Sequence, residues 1–185
     1  MNFNRHSELE GLHAFLSPSS PHWLRYDNDK LRTVWTNQQK VLEGTRLHEF
    51  AAQAIDLGQK LSRSRKTLNM YVNDSIGYKQ APEQKLYFSR NCFGTADSIQ
   101  FRNSMLRIFD LKTGTTPAHP DQLEIYAALF CLEYGIRPRE IDMDLRLYQN
   151  DEIYQWAPDP DDIEEKMSII KQHDATISKL SERDM

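Results

Sequence analysis

Two carboxylates and a lysine stand in two short motifs in the middle of the chain, Gly94-Thr95-Ala96-Asp97 and Asp110-Leu111-Lys112-Thr113-Gly114. If Asn103-Ser104 forms a two-residue hairpin turn, Phe101 faces Leu106, Ile99 faces Ile108 and Asp97 faces Asp110. Strand side chains alternate, so Lys112 shares the face of Asp110. Phe109 and Leu111 flank Asp110, as in a central strand. Two carboxylates in such surroundings repel each other and lose hydration. A divalent cation relieves both problems, and oxygen ligands suit Mg²⁺ or Mn²⁺. Lys112 would then orient an attacking water or stabilise charge in a phosphoryl-type transition state. The same three residues also admit a plainer arrangement, a core ion pair between Lys112 and either carboxylate.

Other residues could join this centre. His48 lies early in an otherwise apolar helical stretch, either as a satisfied core histidine or as a neutral imidazole ligand. Gln122 and Tyr126 are four apart and share one helix face, where an amide and a phenol could hold a lysine, a phosphate or a base; taken alone, an ordinary amphipathic helix accounts for them better.

The elements that must position these groups can be read from periodicity. Pro21 suits an early position of a helix starting near Ser19 or Ser20. Residues 35–61 read as helical, with Gly44 as a point where the helix begins afresh. A short helix over 67–76 should end at Gly77. Strands are expected over 85–88, 95–101 and 105–112, followed by a loop over 114–120. A helix over 121–134 should be capped by Asp121 and closed by Gly135. Ile141, Met143, Leu145 and Leu147 alternate with polar residues as a half-buried strand, and 152–156 can pair with it. In a final helix over about 159–181, Ile163, Met167, Ile170, Ile177 and Leu180 form an apolar stripe. This order gives an α/β (α+β) fold, a central mixed sheet flanked by helices. The 185 residues are expected to form a single domain, with a core over about 16–156.

Composition restricts the partners. With 39% apolar and 27% charged residues, the chain reads as globular. No apolar run is long enough for a membrane span, and residues 1–10 lack the apolar stretch of a secretion signal. The expected location is cytoplasmic, and no membrane partner is expected. Cys92 and Cys131 offer no CxxC spacing, which suits two reduced buried thiols. The net charge is -4, but it is unevenly spread. Lys60, Arg63, Arg65, Lys66, Lys79, Lys85 and Arg90 face only Asp74 and Glu83 in the middle of the chain. From Glu140 onward acids outnumber bases by more than two to one. The basic middle could meet a polyanion, with Arg63, Arg65 and Lys66 as candidate phosphate contacts, or could simply be a solvated face.

Taken in order, Gly44-Thr45-x-x-His48, Gly94-Thr95-Ala96-Asp97, Asp110-Leu111-Lys112-Thr113-Gly114 and Gln122-x-x-x-Tyr126 resemble the motifs of RecB-like PD-(D/E)XK nucleases. The opening Leu16-Ser17-Pro18-Ser19-Ser20-Pro21-His22-Trp23-Leu24 is similar to a phage and prophage type, related to the CRISPR-adaptation nuclease and more distantly to lambda exonuclease. The resemblance implies a restriction-endonuclease-like core and a Mg²⁺- or Mn²⁺-dependent DNA nuclease, more in keeping with an exonuclease, in phage-type recombination or processing in a host cytoplasm. It implies metal ligation by His48, Asp97, Asp110 and the backbone carbonyl of Leu111, and catalysis by Asp97, Asp110 and Lys112. Gln122 and Tyr126 would contact DNA, and Glu83 matches an acidic position of some relatives. A recombination or single-strand-binding protein is a candidate partner; the resemblance is silent on oligomeric state. The chain departs from some relatives in lacking iron–sulfur cysteines, with Arg25 and Tyr26 near where one would fall, and in carrying Asp110 where many have Glu. The competing expectation is a DNA- or protein-binding module on the same fold with cleavage weak or lost.

Overall fold

The computed structural model describes residues 14–115 and 120–183. The expectation of no secretion signal over 1–10 lies outside the described residues, as does the middle of the 114–120 loop. The chain divides into two compact units, Met1–Glu43 and Gly44–Met185. In the first, Trp23 donates its indole N–H to the Ser17 carbonyl at 2.9 Å, and Phe15 meets Trp35 edge-on. The helix expected near Ser19 is a single 3-10 segment, Pro21–Arg25, and Ser20 makes no side-chain capping bond to it.

The second unit has the expected α+β architecture, a five-stranded mixed sheet with helices on both faces. Its strands are β1 (Ala81–Ser89), β2 (Cys92–Arg102), β3 (Met105–Leu111), β4 (Asp142–Gln149) and β5 (Glu152–Trp156), in spatial order β1-β2-β3-β4-β5. All neighbours are antiparallel except the parallel pair β3–β4. That pair is joined through α3 (Asp121–Tyr134). Among the described residues no helix is long and apolar enough to cross a membrane.

Two apolar clusters hold the helices to the sheet. On one face, Leu106, Ile108, Leu145 and Leu147 meet Leu123, Ala127 and Phe130 of α3, with Ile163 of α4 (Pro160–Arg183) behind them. Burying each large side chain there contributes about 1.5–3 kcal/mol. On the other face, Phe109, Leu111 and Tyr148 meet Ala51, Ala54 and Ile55 of α1 (Asn28–Asp56) and Tyr71 and Val72 of α2 (Thr67–Gly77). The alternation in β3 therefore sends Leu106 and Ile108 to one layer and Phe109 and Leu111 to the other.

Asn103 and Ser104 form the expected two-residue turn, both in the left-handed region (φ 52° and 56°). Phe101 faces Leu106 and Ile99 faces Ile108, as expected. Gly135 closes α3 at φ 64°, a conformation that costs glycine little.

Several local expectations change. Helix α1 runs through Gly44 without a break; the glycine serves close packing, since a Cβ there would lie 2.9 Å from Thr113 Oγ1. Helix α2 includes Gly77, and the left-handed residue beyond it is Lys79 (φ 57°). Strand β1 begins four residues earlier than expected; it is an edge strand, where Pro82 is tolerated. Pro120, not Asp121, precedes α3, and no side chain caps it. In α4, Ile163 is buried, whereas Ile177 and Leu180 are exposed.

The deviation that matters most lies in β2. Ala96 and Ile99 belong to the same core layer, although residues three apart in a regular strand point to opposite faces. The alternation slips by one between them. The partner strand deviates at the same level: Glu83, between the pairs Pro82↔Ser98 and Gln84↔Ala96, takes φ 50°. A glutamate in the left-handed region stores strain of about 1–3 kcal/mol.

Candidate functional site

This paired irregularity sets Glu83 opposite Asp97, and the β2–β3 pairing ends just there, at Ser98↔Phe109. The expected facing of Asp97 and Asp110 is thus replaced by a different contact. Freed from the ladder, the Asp97 carboxylate takes over a backbone role, its Oδ2 accepting the Leu111 N–H at 2.8 Å. The same oxygen lies 3.4 Å from His48 Nδ1, delivered by α1. His48, Glu83 and Asp97 each offer a ligand atom, all within 4.8 Å of one another.

Asp110 sits beside this trio but on the α3 side, at 2% exposure. Lys112 Nζ lies 3.1 Å from its Oδ1 and 2.9 Å from its Oδ2. The Oδ2 contact is an ion pair without hydrogen-bond alignment, so this buried oxygen has no hydrogen-bond partner among the described residues. Lys112 also donates to Gln122 Oε1 at 2.7 Å, and Gln122 Nε2 donates to the Tyr126 hydroxyl at 3.4 Å. The amide of α3 thus holds the lysine, and the phenol contacts the amide. Gly94 makes room for them, since a Cβ at that position would lie 2.9 Å from the Tyr126 ring.

The electrostatics follow from crowding. The hydrogen bond to Asp97 raises the pKa of His48 against the opposing effect of burial. Burial, then Asp97, raises that of Glu83. Burial, then Asp97, pushes Asp110 up to about 6, although Lys112 pulls the other way. All three groups hold protons more tightly in the folded chain, so metal-free stability falls as pH rises through their range. For Asp110 the window is about pH 4 to 6, and the loss above it is on the order of 3 kcal/mol. Melting in EDTA should therefore drop between pH 4.5 and 7.5, and Asp110→Asn should melt higher than the native protein at pH 7.5. A lower melting point for the Asn variant would refute this.

The donor set fits a hard divalent cation: two carboxylates and one imidazole in reach of a single point, and a buried carboxylate oxygen lacking a hydrogen bond beside them. Of the residues anticipated as ligands, His48 and Asp97 come together. Asp110 is adjacent and paired with Lys112, and Leu111 meets the trio through its amide. Glu83 lies within the trio, placed by a backbone conformation that its residue type does not signal. Tyr71 of α2 was not singled out by its pattern, which reads as plain core. It is buried within reach of the Asp97 and Asp110 charges, and burial raises its pKa. Lys66 lines a cleft of about 340 Å³ together with Lys112, Thr113 and Asp151. Arg63 and Arg65 are exposed on the preceding loop; of the three basic residues, Lys66 alone is among the described residues lining that cleft. No family profile, curated protein or solved structure matches the chain.

Proposed function

We propose that the chain is a divalent-metal-dependent DNA nuclease of the PD-(D/E)XK kind. The observation that carries this reading is the meeting of His48, Glu83 and Asp97 beside an Asp110–Lys112 pair at one break in the sheet. A structural ion pair would account for Asp110 and Lys112 alone. It gives no reason for an imidazole and two further carboxylates at the same place, one of them in strained backbone.

His48, Glu83 and Asp97 would hold Mg²⁺ or Mn²⁺, with Asp110 closing the site from the α3 side. The bound cation would offset the carboxylate charge and lower the pKa of an attacking water. The Leu111 amide fixes the Asp97 carboxylate in orientation. Lys112, steadied by Gln122, presents its ammonium at the mouth of the Lys66 cleft. There it stabilises charge as it builds on the phosphate oxygens and can deliver a proton to the leaving oxygen.

Linear and circular DNA incubated with Mg²⁺ or Mn²⁺ test this. Cleavage is expected with metal and its abolition with EDTA; full activity in EDTA, or none with either metal, would sink the reading. Loss of linear but not circular DNA would mark an exonuclease. The loop cations give a further expectation. Changing Arg63, Arg65 and Lys66 together to Gln should weaken DNA binding irrespective of sequence and flatten its salt dependence, since each lost phosphate contact reduces the slope by about 0.7–0.9. An unchanged slope would remove them from the interface.

A further inference from the structure

A second concavity, of about 440 Å³, opens between the start of α3 and the β4–β5 hairpin, with Pro120, Leu147, Tyr154 and Trp156 among its walls. Its size is in the range of small-molecule pockets. It takes no part in holding Lys112 or the His48 trio. Tyr154 and Trp156 are two apart on an edge strand and share a face. Their polar ends are already bonded, the Tyr154 hydroxyl donating to Glu152 at 2.7 Å and the Trp156 indole N–H to Glu124 at 3.3 Å. What they offer the cavity is ring surface. Glu124 is the carboxylate in the wall, and Lys166 pairs with it at 2.7 Å, so it presents no bare charge to an anion.

The cavity also shares a wall residue with the cleft of the proposed active site. Asn150, at the tip of the hairpin, lines both this cavity and the cleft that holds Lys66 and Lys112. One side of Asn150 is thus largely aromatic, its one carboxylate already paired, and the other carries two lysines against the single carboxylate of Asp151. A nucleotide has the same two-part chemistry, a flat π-system joined to an anionic phosphate. An apolar protein side chain would fill the aromatic half but has no use for the lysines.

We propose that this cavity is a nucleobase subsite, in which Tyr154 and Trp156 take the base of a nucleotide whose phosphate lies in the Lys66–Lys112 cleft. The inference rests on the nuclease reading and adds to it that the substrate strand is gripped through an unpaired, stacked base. Stacking of this kind is sequence-tolerant.

The test uses a single-stranded oligonucleotide and a series of copies with one abasic position walked along it. Cleavage of each is measured with Mn²⁺ for the wild type, Tyr154→Ala and Tyr154→Phe. At one position the abasic strand should lose about 10-fold in kcat/KM with the wild type, the fold-change given by about 1.4 kcal/mol of stacking. Tyr154→Ala should lose a similar factor on the intact strand and nothing further on that abasic strand. Tyr154→Phe keeps the ring and should behave as wild type, which separates stacking from damage to the hairpin. Wild-type cleavage of the intact strand by Tyr154→Ala, or an equal loss on intact and abasic strands, would overturn the subsite while leaving the nuclease in place. A wild type that neither cleaves nor binds any of these strands would overturn the subsite, and the nuclease reading falls with it only where linear and circular DNA also resist cleavage.

Discussion

Lys112→Met is expected to slow cleavage by orders of magnitude while leaving a folded protein that still binds metal and DNA. In the metal-free state the Lys112 ammonium serves Asp110 at 2.9 Å and Gln122 at 2.7 Å. If its role ended there, losing it would strand a carboxylate at 2% exposure, and breaking such a buried pair costs about 3–5 kcal/mol. Two features point the other way. Asp110 is already poised to keep its proton near pH 6, so it can neutralise itself. A divalent cation at the adjacent trio would supply the positive charge that the lysine otherwise gives. With metal present the variant should therefore melt close to the wild type. Its single-turnover rate should fall by about 10²–10⁴-fold, the usual effect of losing a general acid/base or an electrostatic contact to the transition state. The decisive measurement is single-turnover cleavage at saturating Mn²⁺ beside a melting curve. A variant that melts normally and cuts at the wild-type rate would remove Lys112 from the chemistry. One that unfolds with metal present would make it a structural ion-pair partner.

The parts of this site that were legible from sequence are those set by local rules. A two-residue turn fixes hairpin register, so Ile99 and Ile108 could be paired from the position of Asn103-Ser104 alone. Helix spacing put Gln122 and Tyr126 on one face, where Gln122 accepts from the lysine and donates to the Tyr126 hydroxyl. What could not be read is where a strand ceases to be regular. Extending the hairpin by strict alternation puts Asp97 against Asp110, but the side-chain phase slips between Ala96 and Ile99. Asp97 instead sits with His48 and Glu83 and bonds the Leu111 amide. That slip is shared by two strands and needs Glu83 in a conformation typical of glycine, so no propensity scale marks it. Gly44 carries the same lesson in reverse. It reads as a helix break because glycine is a poor helix former. A tertiary contact bears on it instead: the segment after β3 approaches so closely that a Cβ would have to displace the Thr113 hydroxyl.

Asp97→Asn should lose the metal and keep the fold, and it is a sharper probe than alanine. Alanine would leave the amide of Leu111, a residue at 1% exposure, without its acceptor, which costs about 1–3 kcal/mol and would blur any binding result. Asparagine keeps an oxygen for that amide and removes only the charge. Three consequences follow from the contacts of Asp97. Mn²⁺ affinity, measured by calorimetry without DNA, should fall by about 100-fold or more, since even outer partners of metal ligands are worth about 10–100-fold. Metal-free stability at neutral pH should hold or rise, because Asp97 is a repulsive neighbour of both Glu83 and Asp110. The His48 imidazole should titrate at lower pH in the metal-free variant, because its bond to Asp97 is the largest influence raising its pKa. The last readout, followed by NMR, reports the geometry independently of metal. A shifted His48 with unchanged Mn²⁺ binding would mean that the trio exists as drawn but does not hold the ion. An unshifted His48 would mean that Asp97 and His48 do not meet at all.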